Sequence, residues 1–175
     1  MTDSIAHLLA TVGEPNPREW VLDPFHMQHA ASRVEILALL SRAPSDRRGP
    51  VSWRSLVSSG ERVAREIFRV GAFEPGPSRT LARTAANRAL LDLRQSDLRS
   101  ELRRWSWEED RAALESHLID QEALHDLQSG NAERFLMRRA SRVRSLVSSF
   151  VTRKAELGEP LVLPASAYFD SQGES

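Results

Sequence analysis

The chain has 175 residues and a formal net charge of zero, and 41% of its residues are hydrophobic and 27% charged. This balance is typical of a globular protein, and the length is that of one ordinary domain. The sequence contains no cysteine, which excludes a disulfide framework and any cysteine-ligated zinc site. Because it also lacks a basic leader and any apolar run of about 18 residues, we expect a cytoplasmic protein without membrane contact.

Apolar residues recur with helical spacing along most of the chain. In chain order, the predicted helices cover residues 4–12, 24–43, 53–57, 63–70, 78–93, 106–119, 120–130 and 131–157. Strand candidates are confined to residues 50–53 and 161–163. We therefore predict a mostly α fold. It is an irregular multi-helix bundle over residues 1–160 with a long C-terminal helix, and a tail over 161–175 that we expect to be flexible.

Two of the later helix starts carry clear capping signals. Ser106 and Glu109 have the spacing of a capping box, in which the hydroxyl and the carboxylate each accept a hydrogen bond from the other residue's backbone N–H. Asp120 is typical of an N-cap, and Gly130 of the stop that follows. The last helix, from Asn131 to Leu157, has the clearest apolar stripe.

Charge is segregated along the chain. Residues 78–104 have a net charge of +4, residues 105–130 of −6, and residues 131–157 of +5. One interpretation is that the acidic and basic helices pair with each other inside a neutral bundle. The other is a basic face that binds phosphate or a partner.

An arginine face is predicted on the last helix. Arg134, Arg138 and Arg142 are four residues apart, so they share one side of that helix. Arg103 and Arg104 could extend the basic surface. Arginine's planar guanidinium suits both carboxylate and phosphate, so DNA and a partner protein subunit are both candidate ligands.

Other motifs give weaker hypotheses. Arg111 and His117 fit the loose arginine-to-histidine spacing of HEPN ribonucleases, which are also helical. In that alternative the protein would be a ribonuclease whose dimer brings two such pairs together. In the string RRWSW, tryptophans follow arginines and could stack on nucleobases, although an anchor in the core is the more common role of such a string. His26 and His29 have a metal-compatible spacing but no identifiable third ligand, so we predict no metal. We also predict no cofactor.

Three strings resemble the C-terminal region of bacterial restriction and phage-defence proteins that join a ParB-like nuclease domain to an HNH-type nuclease domain. They are ANRALLD (Ala86–Asp92), ESHLIDQEAL (Glu115–Leu124) and the segment from Glu133 to Pro160. In that family an Asn-containing apolar segment, an SH-I turn and an F-L-x-x-R helix recur in this order. The resemblance covers about the last 75 residues.

The chain departs from the family where the nuclease chemistry would be. The resemblance implies a histidine pair near Arg65 to Pro77, and this stretch contains no histidine. The ParB-like domain has no counterpart in the sequence. A nuclease of this kind cannot polarise water without its metal-binding histidine. The resemblance therefore implies a non-catalytic helical module of a defence or nucleic-acid-processing system. A structural subunit without nucleic-acid contact is the remaining alternative.

Overall fold

A computed structural model describes residues 24, 30–47, 49–50, 64–91 and 98–158. Over these ranges the protein is mostly helical, as predicted, with short strands between helices. The α-helices are α1 (Ala30–Leu40), α2 (Pro77–Ala82), α3 (Leu98–Arg103), α4 (Trp107–Ser116), α5 (Gln121–Gln128) and α6 (Ala132–Leu157). The 3-10 turns are Val70–Ala72 and Ala85–Asn87, and the strands are β1 (Ser45–Asp46), β2 (Gly49–Pro50), β3 (Arg65–Glu66) and β4 (Arg88–Ala89).

The long C-terminal helix is confirmed, and it packs against several of the other described elements. The Asn131 side chain accepts a hydrogen bond from the Arg134 N–H at 3.2 Å, and Gly158 ends the helix in the left-handed conformation. The apolar stripe of α6 is buried against α1, α2, α5 and the second 3-10 turn. This one helix therefore positions α1, α2, α5 and the turn before β4.

The predicted start of α4 is confirmed, but half of its capping box is wrong. The Ser106 hydroxyl accepts from the Glu109 N–H at 3.1 Å, as predicted. The Ser106 N–H, however, donates to the Asp110 carboxylate at 2.9 Å and not to Glu109. Arg47, next to strand β1, binds both Asp110 oxygens and so fixes this carboxylate over the helix end.

The predicted cap of α5 is confirmed as well. The Asp120 carboxylate accepts from the Ala123 N–H at 2.7 Å. Gly130 has a φ of +81°, so it takes the left-handed conformation that favours glycine directly after α5.

The helix predicted from Ser78 through Leu93 is confirmed as far as Ala82 and is wrong from there to Leu91, where the description of this stretch ends. α2 begins after Gly76 and ends at Ala82, and a 3-10 turn and strand β4 follow. Asn87 explains the break, because its buried side chain donates to the carbonyl oxygens of Ala82 and Phe68. An unbroken helix cannot place these groups together.

The helix predicted over 63–70 is also wrong where the structure describes it. Strand β3 pairs there with β4 in an antiparallel register, with Arg65 opposite Ala89 and Glu66 opposite Arg88. Arg88 also lies 3.1 Å from Glu66 as an ion pair. The pairing partner is more than twenty residues away in sequence, so helical spacing alone could not reveal it.

Several predictions lie outside the described residues. These are the helices over 4–12 and 53–57, the strand candidate 161–163 and the tail over 161–175. The predicted helix over 24–43 is described from Ala30, and the strand candidate 50–53 only at Pro50, in β2. None of the helices within the described ranges combines the length and hydropathy needed to cross a bilayer.

Candidate interaction surface

Arg138 is the centre of the predicted arginine face on α6. Its Nε donates to Oδ2 of the buried Asp126 at 2.8 Å, and its Nη1 contacts Glu122. Both acids belong to α5. The hydrogen bond to Asp126 raises the pKa of the Arg138 guanidinium. Arg134, one turn earlier, is 62% exposed and approaches Asp126 only to 3.9 Å, which is too far for a hydrogen bond.

Arg142 and Arg103 also contact α5, at its two ends. Arg142 donates to the carboxylate of Asp120, the N-cap of α5. Arg103 donates to the carbonyl oxygen of Gln128 at 3.0 Å. A cation is favourable at that end, because the last carbonyls of a helix carry partial negative charge.

Arg104, the remaining arginine of the predicted set, is 73% exposed and lies 3.8 Å from Glu101 of α3. The structure thus brings Arg103, Arg134, Arg138 and Arg142 to α5, and leaves Arg104 at the surface. At this interface the acidic and basic helices are in contact, as in the first of the two interpretations of the charge pattern. A binding role for these arginines stays a prediction.

Arg139 is a buried arginine that sequence reasoning did not select. Its side chain is fully buried, its Nε donates to the His117 carbonyl at 3.0 Å, and its Nη1 donates to the carbonyls of Ala85 at 3.2 Å and Ala86 at 2.6 Å. Burial lowers the pKa of the guanidinium to about 9, so it remains charged at neutral pH. Arg139 therefore joins α6 to two other segments.

The sequence did contain a signal for Arg139. It follows Phe135 by four residues, which places it within the apolar stripe of α6. It is also the arginine of the F-L-x-x-R pattern. The backbone groups that it binds lie at or next to the other two strings of the resemblance, Ala86–Asp92 and Glu115–Leu124, so its side chain links all three strings.

The structure does not bring Arg111 and His117 together. The His117 ring is buried, and its Nε2 lies 2.8 Å from the carbonyl oxygen of Ser45. Arg111 is 65% exposed, pairs with Glu115 at 2.9 Å and lies over the Trp107 ring at 5.4 Å. RNA cannot reach a buried imidazole, so this geometry does not support a ribonuclease site within one chain.

Trp105 of the RRWSW string is an anchor in the core. It is 1% exposed, and its Nε1 donates to Glu101 at 3.3 Å. Its ring packs against His117 with centroids 6.2 Å apart, and Arg47 lies 6.0 Å from its centroid. A nucleobase cannot stack on a ring buried in this way.

An aromatic cluster occupies the segment where the resemblance implies histidines. Phe68 is buried and packs edge-on against Phe73 and Phe135, with centroids 6.1 and 5.4 Å apart. Asn87 fixes the backbone of Phe68, accepting from its N–H at 2.9 Å and donating to its carbonyl at 2.8 Å. Within the described ranges, no cluster of histidines and acids is arranged to hold a metal ion. His26 and His29 lie outside them.

Two clefts flank the exposed side of α6. The polar cleft, of about 400 Å³, lies between α5 and α6 and is lined by Gln121, Glu122, His125, Asp126, Ser129, Asn131, Arg134 and Arg138. The apolar cleft, of about 570 Å³, lies between α2 and α6 and is lined by Pro77, Ser78, Thr80, Leu81, Thr84, Glu133 and Met137. We call the residues that separate them, Glu133, Arg134, Met137 and Arg138, the α6 ridge.

Met137 is the feature of this surface that sequence reasoning missed. Its side chain is 60% exposed, and Met137 and Leu157 are the large hydrophobic residues left exposed in the part of the chain that the structure describes. The sequence carried a signal, since Met137 lies beside Arg138 on the charged side of α6.

A comparison of the chain with protein-family models, with curated proteins and with solved structures finds no match.

Proposed function

We propose that this chain is a non-catalytic helical interaction module of a bacterial defence or nucleic-acid-processing system, and that it binds a partner protein through the α6 ridge. The observation that carries the proposal is Met137. An apolar side chain exposed between two clefts and surrounded by charged residues has the arrangement of a protein interface, with an apolar centre and a polar rim.

The charges around the ridge favour a protein partner over nucleic acid. The Arg138 guanidinium is already bound to Asp126 and Glu122, and Glu122 is 69% exposed. A phosphate backbone on this face would meet carboxylates as well as arginines, and nucleic-acid binding requires a surplus of positive charge. A protein surface can be complementary to a face on which positive and negative charges alternate.

The resemblance supports the biological setting. Its three strings are distant in sequence, and Arg139 links them through hydrogen bonds to His117, Ala85 and Ala86. We expect such hydrogen bonds between the strings if they form one helical module of a larger defence system. The aromatic cluster around Phe68 agrees with a module that has no nuclease centre of its own.

The test compares the two exposed large hydrophobic residues of α6, Met137 and Leu157. The tagged chain and its variants Met137→Glu and Leu157→Glu are produced in the cells that encode it, and co-purified proteins are quantified by mass spectrometry. We expect a partner protein that co-purifies with the wild-type chain and with Leu157→Glu but not with Met137→Glu. Leu157 is a matched control because it is 57% exposed and lies about 30 Å further along α6. If both variants retain the same proteins, the α6 ridge is not the binding surface.

A second measurement decides between protein and nucleic acid. Binding to duplex and single-stranded DNA is measured at about 50 and about 200 mM salt. We expect no binding in either condition. Binding that weakens steeply with salt, and that is lost when Arg134, Arg138 and Arg142 are all replaced by Ala, would establish the nucleic-acid hypothesis instead.

A further inference from the structure

Arg134, one of the two arginines that line the polar cleft, differs from the rest of the predicted arginine face. Arg138 and Arg142 donate hydrogen bonds to carboxylates of the same molecule. Arg134 lines the same cleft, is 62% exposed, and has its Nε 3.9 Å from Asp126. Among the described residues, its guanidinium has no hydrogen-bonded partner, so its donors are available to a ligand.

The donors of Arg134 suit a single carboxylate and not a chain of phosphates, because acids of α5 line the same cleft. Asp126 and Glu122, the acids of the cleft, are both bound by Arg138. The backbone N–H groups of the first turn of α6 point towards this end of the helix, where the helix dipole is positive. His125 also lines the cleft and is exposed. Arg138 binds Asp126 through Oδ2, and Asp126 Oδ1 lies 3.9 Å from the Arg134 Nε, beyond hydrogen-bond distance. A carboxylate that binds Arg134 directly would replace this longer contact.

The neighbouring residue determines the kind of anion. Met137 follows Arg134 by three residues, so the two side chains are neighbours on the helix surface, about 5–6 Å apart between their Cβ atoms. A ligand that reaches both must carry a negative group beside an apolar one. An Asp or Glu side chain next to an aliphatic or aromatic residue meets this requirement.

We propose that the α6 ridge recognises an acidic and apolar peptide segment of the partner. Its carboxylate binds Arg134 in the polar cleft, and its apolar side chain packs on Met137 at the apolar cleft. This inference rests on the proposed function and specifies the chemistry of its partner. Arg134 then supplies specificity, because a bidentate guanidinium–carboxylate pair depends on geometry as well as charge.

The probe is a random peptide library displayed on phage and selected on the immobilised full chain. We expect enriched peptides to contain an acidic residue next to an apolar one. Synthetic copies should bind Arg134→Gln about tenfold or more weakly than wild type. They should bind Arg153→Gln unchanged, since Arg153 is an exposed arginine far along the same helix. Circular dichroism checks that each variant is folded.

The outcomes separate the inference from the proposed function. Enriched peptides that need Met137 but bind Arg134→Gln normally would overturn the carboxylate site and leave the ridge as a binding surface. Enriched peptides that bind Met137→Glu normally would contradict both. Failure to enrich any peptide overturns the inference, while the co-purification experiment still decides the function.

Discussion

Arg139 carries a positive charge in the core, bound there by backbone carbonyl oxygens. It donates to three carbonyls, and its Nη2 has no hydrogen-bond partner among the described residues. Each carbonyl has a partial negative charge, and together they offset part of the cost of removing the guanidinium from water. Arg139 therefore connects α6 by hydrogen bonds to the end of α4 and to the turn before β4.

Replacing Arg139 should be the most damaging arginine substitution on α6. Arg139→Ala leaves a cavity and removes the side-chain donors from the carbonyls of His117 and Ala86, and we expect the free energy of unfolding to fall by about 3–5 kcal/mol. Arg153→Ala is the control, because its side chain is exposed near the end of the same helix. Urea denaturation measures both. Equal losses of unfolding free energy in the two variants would show that the hydrogen bonds of Arg139 to the carbonyls contribute little to stability.

Asp110 should make the stability of the domain depend on pH. The hydrogen bonds from Arg47 hold the pKa of this buried carboxyl below its ordinary value. A carboxylate with a lowered folded-state pKa stabilises the fold above about pH 4, and this contribution is lost as the pH falls through the folded-state pKa.

The test of this pH effect is the variant Asp110→Asn. The difference in unfolding free energy between wild type and Asp110→Asn should be largest near neutral pH and should shrink as the pH falls from about 5 to about 3. Glu109→Gln, at the exposed neighbouring position, should differ little from wild type over the same range. A difference for Asp110→Asn that does not change with pH would contradict the ion pair with Arg47.

At the scale of elements, α5 is held between arginines from α3 and α6. Asp126 is 4% exposed and binds Arg138, whereas Glu122 binds the same arginine from the surface. Asp126→Ala should lower the free energy of unfolding by about 1–3 kcal/mol, because it leaves a partly buried guanidinium short of a partner. Glu122→Ala should cost clearly less. Urea denaturation of the two variants measures this, and the reverse order would show that burial does not determine the strength of these pairs.

The helices from Ser106 onwards could be predicted from the sequence because their signals are local. A cap residue and a following apolar stripe lie within a few residues of each other, as at Ser106 and Asp120. The stretch from Ala85 to Ala89 could not be predicted, because its conformation depends on contacts with residues 65–68. The bonds of Asn87 to Phe68 outweigh the local helical spacing.

For the whole molecule, the candidate surface could be predicted only in part. The spacing of Arg134, Arg138 and Arg142 places them on one side of α6, but it could not show that α5 supplies acids to two of them at close range. Pairing of that kind depends on the packing of helices. The sequence places Met137 on the charged side of α6, but the clefts on both sides of it depend on the packing of α2 and α5 against α6.

Site-specific photo-cross-linking tests the central claim most directly. A photoreactive amino acid replaces Met137 in one variant and Leu157 in another, and both are irradiated in the cells that encode the chain. We predict a covalent adduct of discrete mass with one protein from position 137 and not from position 157. Equal adducts from both positions, or adducts with nucleic acid from position 137, would contradict a protein-binding surface on the α6 ridge.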